Sequence, residues 1–188
     1  MTLHDELERI AALAAAHAQP VERVAAIIAA EATPGRRTYL CAFERDGLPD
    51  AEQSWLALDG SGAPLADRAA VREAVSIAAL CELAEETAGG GDLDELRAQL
   101  VAVRTVEQPE GIEEAEAALD ELQRVLGSPP AVASPARLDA IGTAVRELEL
   151  ALGGALRPSP FAEALAGATA VVEALVGDVE RGYRGPLG

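Results

Sequence analysis

"VERVAAIIAAEATPGRRTYLCAFE", residues 21–44, decides the fold, because its pattern changes halfway. The first part, residues 21–32, follows Pro20 and is read as a short helix. Proline suits the first helical turn, where its missing N–H is not needed. Thr33-Pro34-Gly35 then ends that helix. From Arg37 onward the residues alternate: Tyr39, Cys41 and Phe43 point one way, Leu40 and Ala42 the other. That is the period of a strand.

Working outward, residues 3–18 place Leu3, Leu7, Ile10 and Ala14 at helical spacing, so residues 3–32 are expected to form an N-terminal helix pair. Downstream, "SWLALD" (54–59) alternates again. The turn-rich "RDGLPDAEQ" (45–53) precedes it, "DGSGAP" (59–64) follows, and Pro64-Leu65 can be the stub of a third strand. A small antiparallel β-hairpin or three-strand meander is therefore expected around residues 38–65. Tyr39, Phe43 and Trp55 are expected to share one face with Cys41. They are the candidate interaction residues, as a partner surface or the wall of a small pocket.

Beyond Asp67, an N-cap residue type, residues 68–88 are apolar on more than one face, as in a centrally buried helix. Helices with three-and-four spacing follow: one capped by Asp92, one from Ile112, one from Pro135 and a last one over residues 161–179. Breaks at Gly89-Gly90-Gly91, Pro109-Glu110-Gly111, "GSPPAVASP" (127–135) and "GGALRPSP" (153–160) are short, so neighbours should run antiparallel. The expected class is mainly α: an antiparallel helical bundle preceded by the helix pair and the small β element. One domain is expected over 1–188, with the β-containing part at 1–66, the bundle at 67–180 and a frayed tail at 181–188.

The composition, 49% hydrophobic and 25% charged over 188 residues, is that of a globular chain. Its formal charge is −17, and every basic residue is Arg. Such a chain meets long-range repulsion on approaching nucleic acid or an anionic membrane, so neither is expected as a partner. Cys41 and Cys81 lie in apolar contexts without a CxxC spacing, which speaks against a disulfide framework. No basic, apolar leader pattern opens the chain and no run is long enough to span a bilayer, so a cytoplasmic location is expected.

"CELAEETAGGGDLDELRAQL", residues 81–100, reads as a helical hairpin. Asp92, Asp94 and Glu95 suit a first helical turn, where exposed N–H groups favour acids. Glu82 and Glu85, three apart, share a face and could present carboxylates to a divalent cation. Residues 71–103 resemble the paired-helix motif of the all-α MazG-type nucleotide pyrophosphohydrolases. In that family Glu-x-x-Glu on one helix and Glu-x-x-Asp on the next hold Mg²⁺ against a nucleotide triphosphate. The four ligand positions fall on Ala79, Glu82, Gln99 and Ala102, of which Glu82 keeps a carboxylate. The resemblance implies a Mg²⁺ or Mn²⁺ site at Glu82, with Glu85 and Glu95 as further acidic candidates beside the motif.

No other constellation carries chemistry. Glu113, Glu116 and Asp120, at helical spacing, could meet a divalent cation, but read first as the solvated face of an amphipathic helix. His4 and His17 have no second His or Cys at metal-ligand spacing. Gly60-Ser61-Gly62 lacks the strand–elbow–helix context of a hydrolase nucleophile. With no catalytic set and no cofactor-binding residues, the expected role is a non-enzymatic module that self-associates, as a homo-oligomer, or binds another protein. The alternatives are a MazG-like metal-dependent hydrolase and small-ligand binding near the β element.

Overall fold

The computed structural model describes residues 2–45, 53–89, 93–106, 111–127, 132–153 and 160–185. Most of the 45–53 loop, the turn at Gly90, Gly91 and Asp92, the Pro109-Glu110 break, residues 128–131 of the linker, residues 154–159 and the last three residues lie outside that set.

The chain is a mixed α/β protein, and this overturns the mainly-α bundle. The elements are α1 (Leu3–Ala15), β1 (Glu22–Thr33), β2 (Arg36–Arg45), β3 (Ser54–Leu58), α2 (Arg68–Gly89), α3 (Leu93–Val106), α4 (Ile112–Leu126), α5 (Pro135–Ala151), α6 (Pro160–Gly167) and α7 (Thr169–Arg181). The three strands form an antiparallel sheet in the order β1-β2-β3.

The error lies at residues 21–32, expected as a helix and observed as β1. Thr33-Pro34-Gly35 is a hairpin turn rather than a helix stop. Gly35 sits at φ 77°, where a side chain is strained, and its N–H donates to the Glu31 carboxylate at 2.9 Å. Val24, Ile27 and Ala29 all join the same apolar cluster. A step of three, from 24 to 27, would place residues of an unbroken strand on opposite faces. A register shift between Val24 and Ala26 inserts Ala25 and brings Ile27 back to the face of Val24. A bulged strand thus imitates helical spacing. With β1 a strand, the N-terminal helix pair reduces to α1 alone.

Two compact units emerge. The first comprises residues 1–79, 130–135 and 170–188. Here α1, capped by reciprocal Thr2–Asp5 hydrogen bonds, buries Ile10 and Ala14. These two cluster with Tyr39, Cys41, Phe43, Leu56 and Leu58 of the sheet. Full burial of side chains this large stabilises by about 2 kcal/mol each. Leu40, Ala42 and Ala57 alternate with them and are buried too. A sheet buried on both faces needs a cover on each. α1 supplies one, and the helices left in the unit, the first half of α2 and α7, bury Val71, Val75, Val176 and Val179.

Both sheet edges are occupied. Ala133 exchanges hydrogen bonds with β1, accepting from Glu31 N at 2.8 Å and donating to Ala29 O at 2.9 Å. At the other edge Trp55 N donates to Gly182 O and Arg184 N to Trp55 O, each at 2.9 Å. Residues 182–184, expected to fray, act as a short extra strand. Each bridge covers part of an edge that would otherwise present unpaired N–H and C=O groups.

The second unit, residues 80–129 and 136–169, is helical. Its core gathers Ala84, Leu119, Leu122, Ile141, Leu148 and Phe161. The Arg137 guanidinium joins Glu85 at 2.9 Å and the Val125 carbonyl at 2.5 Å, tying α5 to α2 and α4. The single helix expected over 161–179 is two helices, interrupted at Ala168.

Candidate functional site

In the first unit, α1, the β1–β2 turn and the loop after β3 enclose a cleft of about 470 Å³ lined by Glu6, Glu31, Arg36, Arg37, Tyr39, Asp59, Gly60 and Ser61. Each element places its residues for a local reason. Leu3, Leu7 and Ile10 turn α1 towards the sheet, which leaves Glu6 and Arg9, three apart, together on its flank. Arg37 and Tyr39, two apart on β2, share the sheet face that α1 covers. Asp59 closes the loop after β3: its carboxylate accepts from Ser61 N at 2.8 Å, Ser61 Oγ at 2.6 Å and Ala63 N at 3.0 Å. Arg9 Nη2 donates to Gly60 O at 2.7 Å and holds this loop to α1.

The carboxylates of the cleft are all engaged. Arg37 hydrogen-bonds Glu6 and lies 3.5 Å from Glu31. Glu31 also receives the Gly35 N–H. The Glu6 carboxyl is held below its usual range, first by the neighbouring Tyr39 hydroxyl and then by Arg37. Asp59 is lowered as well, chiefly by the Ser61 hydroxyl.

The donors are not all engaged. Tyr39 is 0% exposed, and its hydroxyl sits beside Glu6 and Arg37 but falls short of full hydrogen-bond geometry with either. The buried Nε of Arg37 also has no acceptor. Burial, then Glu6, push the Tyr39 phenol up to about 12, so it keeps its proton at neutral pH. Arg36 is exposed at the strand entrance and forms no ion pair among the described residues. A buried unsatisfied polar group in a native fold calls for an explanation, and an incoming ligand atom is one.

The residues singled out from sequence fare differently. Tyr39 and Phe43 are fully buried on the α1 face, with Cys41 between them. Burial pushes the Cys41 thiol up to about 12, away from nucleophilic use. Trp55 does not share their face. It pairs with Ala42 and lies opposite the Tyr39 side, against Gly182. Of the acidic candidates, Glu82 and Glu95 are exposed and Glu85 is held by Arg137. Glu95 accepts from Gln99 Nε2 at 3.3 Å. Among the described residues no three His, Cys, Asp or Glu side chains come together to hold a metal ion, so these three do not assemble one. No described helix is long and apolar enough to cross a membrane.

Glu6, Glu31, Arg36, Arg37, Asp59 and Ser61 were not candidates in the sequence. No spacing rule joins residues 6, 31, 37 and 59. The one local signal was the Arg36-Arg37 pair, unusual in a chain with 15 basic and 32 acidic residues. Comparison with protein-family models, with curated proteins and with solved structures finds no match.

Proposed function

We propose that this chain binds a small ligand in the cleft beside Tyr39, without transforming it. The supporting observation is the Tyr39 hydroxyl, a buried donor at the wall of a cleft of ligand size that falls short of full hydrogen-bond geometry with the neighbouring Glu6. Binding rather than turnover follows from the inventory. The unengaged groups are donors with firmly held protons, and each carboxylate that could take a proton already serves an arginine or a turn. Arg37, one-third exposed, stands between the cleft and this hydroxyl in its ion pair with Glu6.

The test is a thermal-shift screen of metabolite-sized compounds on the wild type and on Tyr39→Phe. A ligand at 100 times its Kd adds about 2.7 kcal/mol of stability. Loss of one hydrogen bond to the ligand weakens binding by about fivefold, on the order of 1 kcal/mol. Hits that stabilise both proteins equally argue that the cleft is not the site.

A second reading, a protein-interaction or self-associating module, is favoured by Leu150. It is 61% exposed on α5 and lines a shallow apolar groove with Ala117 and Ala118 of α4. Leu150→Glu converts an oligomer to a monomer in sedimentation if this groove is the contact; an unchanged sedimentation coefficient removes that reading.

A further inference from the structure

The apolar groove between α4 and α5, which carries the protein-interaction reading above, runs further than Leu150. Glu114 and Ala117, early in α4, line a space of about 420 Å³ with Leu150 and Ala151, late in α5. Arg124, late in α4, lines a second space of about 340 Å³ with Ala136 and Ala140, early in α5. Glu121 and Glu147 border both, so the two spaces form one groove between antiparallel helices. Along α5 it follows residues 136–151, about 22 Å or roughly four helical turns. Leu150, 61% exposed, is not a frayed member of the core. Ile141, Val145 and Leu148 carry the buried stripe of α5, and Leu150 stands about 200° around the helix from Leu148. The alanines beside it are small, which leaves a trough that the larger side chains of a third helix can fill.

The rim of this groove is charged, and its unpaired charge has one sign. Glu114, Asp139 and Glu147 are exposed and form no ion pair among the described residues. The arginine that lines the groove, Arg124, is engaged by Glu121, with Nε donating at 2.7 Å. Arg146 is exposed on α5 but does not line the groove. A second copy of the chain would bring the same acids to the contact, together with its own charge of −17, and would set carboxylate against carboxylate. We propose, on the basis of the interaction reading, that the groove takes an amphipathic helix of another protein. Its apolar stripe lies against Leu150 and the alanines, and its flanking Lys or Arg side chains reach Glu114, Asp139 and Glu147.

The test is selection of a displayed library of helical peptides, each about four turns long, on the full chain, followed by amide NMR titration of an enriched peptide. Enriched sequences are expected to place apolar residues at three-and-four spacing and to carry a net positive charge. The peptide should shift residues 114–124 and 136–151 saturably. It should bind about tenfold more weakly to Leu150→Ala. It should bind about fivefold more weakly to the double variant Asp139→Asn, Glu147→Gln, and high salt should erase that second difference. All three positions are exposed, so these variants keep the core intact. Enriched peptides without a basic excess, bound unchanged by the double variant, overturn the charge assignment and leave the interaction reading standing. Basic peptides that bind Leu150→Ala unchanged, or that keep their affinity with the apolar positions scrambled, report attraction to an acidic surface and overturn the groove as the site. A wild-type oligomer that Leu150→Glu dissociates gives the groove to a second copy and overturns the proposal. No enriched peptide, with a monomer in sedimentation, overturns the proposal and the interaction reading together.

Discussion

Glu22 and Arg184, 162 positions apart, form a hydrogen-bonded ion pair that ties the C-terminal segment to the first residue of β1. The Glu22 side chain is 3% exposed. The Arg184 guanidinium also lies 4.8 Å from the centre of the Phe43 ring, a cation–π distance. This contact, with the Trp55–Tyr183 bridge, converts the end of the chain into part of the sheet.

Arg184→Ala is therefore expected to cost about 2 kcal/mol, because it strands a nearly buried carboxylate. Arg45, 3.7 Å away, compensates only in part. Glu22→Gln in the same background should cost less than it does alone. Urea unfolding of the two single variants and the double variant measures this coupling, and simple additivity would falsify the pair.

Glu180 accepts from Arg68 Nε at 2.9 Å and Nη2 at 3.0 Å, and from Arg72 Nη1 at 3.2 Å. Arg68 first, then Arg72, hold its carboxyl down at about 2, against an ordinary 4.5. A depressed folded-state pKa gives stability that is present above the unfolded value and lost as pH falls through the folded one. The wild type should lose this contribution between about pH 4.5 and pH 2. Glu180→Gln should flatten that limb of a melting-temperature profile against pH while lowering stability at neutrality.

Tyr39→Phe has an unusual expected sign. Removing a buried hydroxyl normally costs about 1 kcal/mol when it breaks a hydrogen bond. Here no bond is broken, so the ligand-free variant should be as stable as the wild type or slightly more so. A loss of about 1 kcal/mol in chemical denaturation would show that the hydroxyl is bonded to Glu6 in solution, and would remove the main support for the ligand site.

Gly35→Ala should cost about 1 kcal/mol, because φ is 77° there. A Cβ at that position meets nothing within 4 Å, so the penalty is purely conformational. Gly35→Asn should recover part of it, since asparagine tolerates the left-handed region. If both variants melt like the wild type, the turn is not the one described.

The helices from 68 onward and the alternation of β2 and β3 were legible because each depends on residues a few positions apart. Asp67 does cap α2, donating no proton but accepting from Ala69 N at 3.0 Å and Ala70 N at 3.3 Å. The interruption between α6 and α7 at Ala168 follows Gly167, a helix-ending residue type whose signal was outweighed by the apolar spacing that continues across it. The cleft was nearly illegible. Tyr39 was a candidate for its ring, yet it is the hydroxyl that reaches the site.

By itself, then, the sequence determined what local periodicity can carry: an amphipathic first helix, two alternating strands, a run of apolar-striped helices and a strongly acidic surface charge. Only tertiary structure decided the class. Residues 22–33 have the spacing of a helix, and pairing with β2 makes them a strand. The ladder with β2 takes the place of helical hydrogen bonds, and one bulge returns Val24 and Ile27 to the same core. Tertiary structure also placed Trp55 on the far face and assembled the cleft from Glu6, Glu31, Arg37 and Asp59. Those contacts depend on chain segments meeting across the sheet, and no window of neighbouring residues contains that information.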